Sequence, residues 1–194
     1  MSNIYSPPAA RLDDEPGVSE GNHKFYVVAP LKFWLLFIFT QGCYQLYWFY
    51  KNWSRYKTYS QESIWPVMRT IFAIFFAHSL FREVDATLVT EDRKHSWSPS
   101  LLATGYVIAA ITTYVIDRMR DFVDKIALPI ELFVMLPLVG YLLYRAQVAM
   151  NIACDDLSGA SNAKLTWANY LWMGLGFTLM SLALIGTYAN LSAS

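Results

Sequence analysis

From Trp167 to Leu191 the chain runs 25 residues without one charged side chain. No other feature limits its fold as tightly. A helix crossing the hydrocarbon of a bilayer needs about 20 apolar residues, within a range near 17–25. Lipid offers no partner for a backbone N–H or C=O, so an isolated crossing segment is helical. A membrane β-barrel would need roughly ten-residue strands that alternate apolar and polar positions. The stretch LWMGLGFTLMSLALIG, residues 171–186, does not alternate.

Four more apolar segments precede it. Tyr26 to Tyr50 is interrupted by Lys32 and by Gln41-Gly42. Ile64 to Phe81 carries Arg69 and His78. Leu101 to Ile116 is uncharged, and Ile126 to Tyr144 carries Glu131. Polar connectors separate them at Lys51–Ser63, Glu83–Pro99, Asp117–Lys125 and Arg145–Thr166. The expected fold is all-α, a polytopic transmembrane helix bundle of about five apolar segments over residues 25–191. The first two segments either cross or dip in and return as re-entrant hairpins. Residues 1–24, with three prolines and four acids between Asp13 and Glu20, are expected to form a disordered polar tail. They lack the basic start and apolar run of a signal peptide.

Composition agrees with this reading. Only 15% of residues are charged and 55% are hydrophobic, against about a quarter charged in soluble domains. The formal net charge is zero, which gives no electrostatic footprint for nucleic acid. Cys43 and Cys154 stand apart without CxxC or His spacing, so neither a disulfide framework nor a zinc site is expected. G-x-S-x-G, P-loop, H-E-x-x-H and G-x-G-x-x-G patterns are missing. No cofactor is indicated, and no enzymatic activity is expected.

The aromatic run around Tyr44, Tyr47, Trp48, Tyr50 and Trp53 contains Lys51 and is followed by Arg55. On a helix its rings fall nearly all round, unlike a surface-lying amphipathic helix. Trp and Tyr concentrate where headgroups meet hydrocarbon, and the cations suit snorkelling. The run therefore reads as a helix end at an interface. The string Thr40-Gln-Gly42-Cys-Tyr44-Gln-Leu-Tyr47-Trp48-Phe-Tyr50 has the form T-x-G-x-Y-x-x-Y-W-x-Y. It resembles the signature of small bacterial multi-pass inner-membrane proteins of unknown function. That resemblance implies a bacterial inner membrane location and no known reaction. A looser echo, with the register slipped by one residue, sets Gly140 to Tyr144 followed by Asn151 against Gly42 to Tyr47 followed by Asn52.

Small residues recur at helical spacing at Gly105, Ala109 and Thr113, and at Gly174, Thr178 and Ser181. Such faces let membrane helices approach closely. Ionisable groups inside apolar segments are costly and mark candidate sites. Glu131, two residues after Pro129, is the first of these. Arg69 either snorkels or pairs with Glu131. His78 is a candidate proton carrier or an interfacial residue.

Two functional readings fit this pattern. The first is an accessory or scaffold subunit that binds a membrane protein partner, a second copy or lipid. The second is a small oligomeric transporter or channel with Glu131 and Arg69 in its path. A polar tail before the first apolar segment favours a cytoplasmic N-terminus. Five crossings divide Lys and Arg eight against seven between the two sides, whereas two re-entrant hairpins divide them twelve against three. Both place the C-terminus outside, in the periplasm. Alkaline carbonate should leave the chain in the membrane pellet, and its release into the soluble fraction would contradict this reading.

Overall fold

The computed structural model describes residues 23–119, 122 and 127–193. Of the expected N-terminal tail, only residues 23 and 24 fall within them. Seven α-helices are described: α1 (Pro30–Phe39), α2 (Tyr44–Ser60), α3 (Pro66–Ile71), α4 (Ala73–Thr90), α5 (Pro99–Arg118), α6 (Ala127–Ala153) and α7 (Trp167–Ala193). No strand occurs among the described residues. Proline sits in the first turn of α1, α3 and α5, where its missing N–H costs nothing and its fixed φ favours helix entry.

The long apolar helices are α5, α6 and α7. Their mean hydropathies of 1.5, 1.8 and 1.4 make them long and apolar enough to cross a membrane. The first two apolar segments do not form single spans. The ten residues of α1 rise about 15 Å, half of a hydrocarbon core of about 30 Å. Gln41 at φ 51° and Gly42 at φ 80° then turn the chain, and the Gly42 N–H donates to the Phe37 carbonyl at 2.8 Å. The helices return antiparallel. Phe33 meets Tyr44 edge-on at 5.8 Å, and Tyr26 meets Tyr47 at the same separation.

The second segment also folds back. The Arg69 guanidinium lies 4.2 Å from the Trp53 ring centroid, and the Tyr56 hydroxyl donates to Glu83 at 2.8 Å. Residues 69 and 83 would lie about 21 Å apart on one straight helix, while 53 and 56 are about 4.5 Å apart. Both contacts can form only because the chain reverses at Phe72 (φ −100°, ψ 37°). Two helical hairpins therefore stand beside a three-helix array. The open end of the first hairpin and the C-terminal end of α4 meet the 91–98 and 154–166 connectors at one end of the bundle. There Lys24 pairs with Glu91, and Arg93 pairs with Glu91 at 2.8 Å and with Asp155. The Arg93 guanidinium holds the Asp155 carboxyl below its ordinary range.

The core is organised by a segment that is not helical. Residues 25–29 run extended between α2 and α6 with Phe25 and Val28 fully buried. A lone extended segment has no ladder for its main chain, and an unpaired buried peptide group is costly. Amide side chains supply the partners. Tyr26 N–H donates to Asn52 Oδ1 at 3.0 Å, and the Tyr26 carbonyl accepts from Gln147 Nε2 at 2.9 Å. Asn151 grips Val28 on both sides, accepting from its N–H at 3.3 Å and donating to its carbonyl at 3.0 Å. Asn162 Nδ2 donates to the Val27 carbonyl at 2.8 Å. Gln147 also accepts from Trp48 Nε1 and donates to Asn151 at 2.7 Å. Gly159, at φ 66°, lies against this segment, where a Cβ would come 2.4 Å from the Val28 carbonyl carbon.

Asn151→Leu removes the partners of two buried main-chain groups, each worth about 1–3 kcal/mol when orphaned. It should lower stability by about 2 kcal/mol or more in thermal unfolding in detergent. Cys154→Ala loses only a weak 3.7 Å contact to the Phe25 carbonyl and should cost less. Equal losses from the two substitutions would contradict the assignment.

Candidate functional site

The closed ends of the two hairpins meet α5 between Tyr106 and Thr113 and α6 between Leu128 and Val139, and enclose a cavity of about 380 Å³. Its apolar wall comes from Phe37, Ile71, Ile74, Leu132, Met135 and Val139. Its polar wall comes from Gln41, Gln45, Thr70, Tyr106, Thr113 and Glu131. Tyr106 donates to Gln45 Oε1 at 3.1 Å, and Gln41 Nε2 donates to the Gly176 carbonyl at 3.0 Å. Thr70 and Thr113 donate to carbonyls of their own helices at 2.8 and 3.0 Å, which leaves their oxygens to accept.

Glu131 begins a π-helical turn, Glu131–Met135, inside α6. Pro137 explains the widened turn. It has no N–H for the carbonyl of residue 133, and its ring would strike that carbonyl in a regular α-helix. Opening the turn relieves both problems, and single π-turns of this kind recur at functional sites. Glu131 is the only charged side chain among the described residues that line the cavity.

The sequence candidates separate in space. Glu131 and Thr113 line the cavity. Arg69 does not, since its guanidinium lies over Trp53 and, at 5.2 Å, over Phe76. Among the described residues no ion pair joins Arg69 to Glu131. His78 is exposed on α4 and lies 3.0 Å from the Thr104 hydroxyl of α5.

The aromatic run divides instead of forming one interfacial belt. Trp48 and Trp53 are fully buried, and Tyr44 is nearly so. Tyr47 and Tyr50 remain exposed. Lys51 and Arg55 are half-buried, with Lys51 Nζ 5.6 Å from the Tyr47 ring centroid. Burial of one side of α2 follows from its position against the extended segment, which a helical wheel cannot display.

The small-residue faces also differ. A Cβ on Gly105 would lie 3.2 Å from Leu142, and Ala109 is buried, so this face packs α5 on α6. A Cβ on Gly174 would meet no other part of the chain within 4 Å, and Thr178 and Ser181 each donate to a carbonyl of their own helix at 2.9 Å. The contact residue of α7 is Gly176, where a Cβ would come 2.0 Å from the Phe39 carbonyl oxygen. The sequence reading missed Gln41 and Gln45 in the cavity, and Gln147 and Asn162 in the core. Their signal was amides within or beside apolar segments. Asn52 and Asn151 both hold the same extended segment.

Gly176→Ala should force α7 off α1 and lower thermal stability in detergent, while Gly174→Ala should leave it unchanged within about 0.5 kcal/mol. Similar effects of the two would contradict this packing. Comparison of the chain with protein-family models, with curated proteins and with solved structures gave no match in any of the three.

Proposed function

We propose that the chain is an integral membrane protein that binds a small cation or amine in the cavity at Glu131, as a carrier or channel element. One observation carries the reading. Three interruptions of helix, at Gln41-Gly42, at Phe72 and at the π-turn, converge on one cavity that contains a carboxylate and two carboxamides. Non-helical backbone is tolerated at membrane depth only where protein buries it or a polar cavity adjoins it. Broken helices meeting near the midplane are the usual architecture of transporter sites. Glu131 supplies the counter-charge, and Gln41 and Gln45 supply carbonyl oxygens.

The fold supports an orientation for this reading. With α5, α6 and α7 as crossings, the sequence between α5 and α6, with Arg118, carries three of the 15 Lys and Arg, and twelve belong by sequence to the other segments. The positive-inside rule puts the twelve in the cytoplasm with the N-terminus, and the C-terminus in the periplasm. The T-x-G-x-Y-x-x-Y-W-x-Y string supports assignment to a bacterial inner membrane. A second reading, an accessory subunit, is favoured by α7, which meets the rest of the chain mainly at Gly176 and leaves Trp172, Leu175 and Leu182 exposed.

Proteoliposomes should take up radiolabelled rubidium or methylammonium faster than empty vesicles, and Glu131→Gln should abolish the excess. Wild-type vesicles no more permeable than empty ones to either cation would overturn the proposal and favour the accessory reading. A cysteine at Thr58, exposed on α2, should react with impermeant maleimide only from the cytoplasmic face.

A further inference from the structure

A second cavity, of about 520 Å³, lies between α7 and the α1–α2 hairpin. The wall that α7 supplies changes chemistry along its length. Toward the middle of the bundle it is aliphatic, with Leu175 and Leu179, while the hairpin wall opposite mixes Leu36, Thr40, Cys43 and Leu46 with the rings of Tyr44 and Tyr47. Toward the end bearing the 154–166 connector it becomes aromatic and polar, with Trp172, Asn169 and Thr166. One turn beyond Tyr47 stands Lys51, its Nζ 5.6 Å from the Tyr47 ring. On the other wall an exposed Lys164 precedes the lining residue Thr166. No acid lines the cavity among the described residues.

Aliphatic, then ring-bearing and polar, then cationic is the order of an acyl chain, a glycerol ester region and a phosphate met from the bilayer centre outward. The volume lies within the range of about 300–1,000 Å³ typical of ligand sites. The wedge is held open because Gly176 pins α7 to Phe39 and Thr40 at one crossing, with a Phe39–Phe177 ring contact at 6.2 Å beside it. We propose that this groove seats one acyl chain of an anionic phospholipid, with its phosphate between Lys51 and Lys164. The groove shares only the lining residue Leu46 with the cavity at Glu131, and the proposal stands or falls separately from transport.

Cys43 gives a native reporter. It is exposed and lines the groove, whereas Cys154 is buried. The rate of Cys43 modification by N-ethylmaleimide is measured on the full chain in detergent micelles, with phosphatidylglycerol or phosphatidylcholine added. Phosphatidylglycerol should protect the thiol at concentrations about 25-fold lower than phosphatidylcholine, each of the two lysines contributing about fivefold. The Lys51→Ala, Lys164→Ala double variant, altered only at solvent-accessible cations, should lose that preference. Leu175→Trp, which fills the aliphatic end, should lose protection by both lipids. Equal protection by the two lipids, no protection by either, or an undiminished preference in the double lysine variant would each overturn the proposal.

Discussion

The fold depends on hydrogen bonds from carboxamide side chains to the main chain of residues 25–29. This segment lies inside the bundle without a neighbouring strand, so its peptide groups cannot be satisfied by secondary structure. Asn52 from α2, Gln147 and Asn151 from α6, and Asn162 from the connector before α7 provide those partners. An amide can do this because it presents a donor and an acceptor about as far apart as those of a peptide. Each net contribution is only about 1 kcal/mol, but an orphaned group would cost more, so the set acts cooperatively. The segment ties the first hairpin to α6, and Trp48 joins the same network through Gln147.

The clamp on this segment sets the path of both hairpins. Pro30 begins α1 at the inner end of the clamp, and the helix has only ten residues before Gln41 and Gly42 turn it back. Lys32 lies in the first turn of the same helix and is nearly buried, yet protein groups solvate its charge. Its ammonium donates to Asn162 Oδ1 at 2.6 Å and to the Lys164 carbonyl at 2.7 Å. A cation that looked like an interruption of a span is therefore a tie between α1 and the connector before α7. The first hairpin then provides the surface on which α3 and α4 fold back, through Trp53 stacked on Arg69 and Tyr56 bonded to Glu83.

The all-helical class and the three long spans were legible from hydropathy, because lipid leaves so few alternatives for about 20 uncharged residues. The breaks in the first two segments were legible only in part. Gln41-Gly42 carried the usual sign of a turn, but the charge count left hairpins and five crossings both open. Phe72 carried no such sign. Its reversal follows from tertiary contacts of Arg69 and Glu83, which no local pattern reports. Glu131 was legible as an ionisable group inside an apolar segment, and Thr113 was reached only as a packing residue. The amides of the cavity and core were not singled out, since Gln and Asn near apolar segments have many ordinary roles. On α7 the choice between Gly174 and Gly176 turned on which face meets α1, and two small residues two positions apart leave that face undetermined.

The location of the cavity follows from the same constraint that makes the spans helical. A break in a helix exposes peptide groups, and lipid cannot accept them. Breaks must therefore be turned inward, and several breaks are best placed together, where each can face the polar side chains that the others bring. The turn at Gln41-Gly42, the reversal at Phe72 and the π-turn enforced by Pro137 lie on three different helical units, yet residues adjoining all three line one cavity. Gathering them also spoils close packing, because a turn, a kink and a widened helix do not interdigitate as regular helices do. An unfilled space of a few hundred Å³ beside hydrogen-bonding groups is the expected outcome. Glu131 stands at the first residue of the widened turn, so the irregular backbone that opens the space also delivers the carboxylate to its wall.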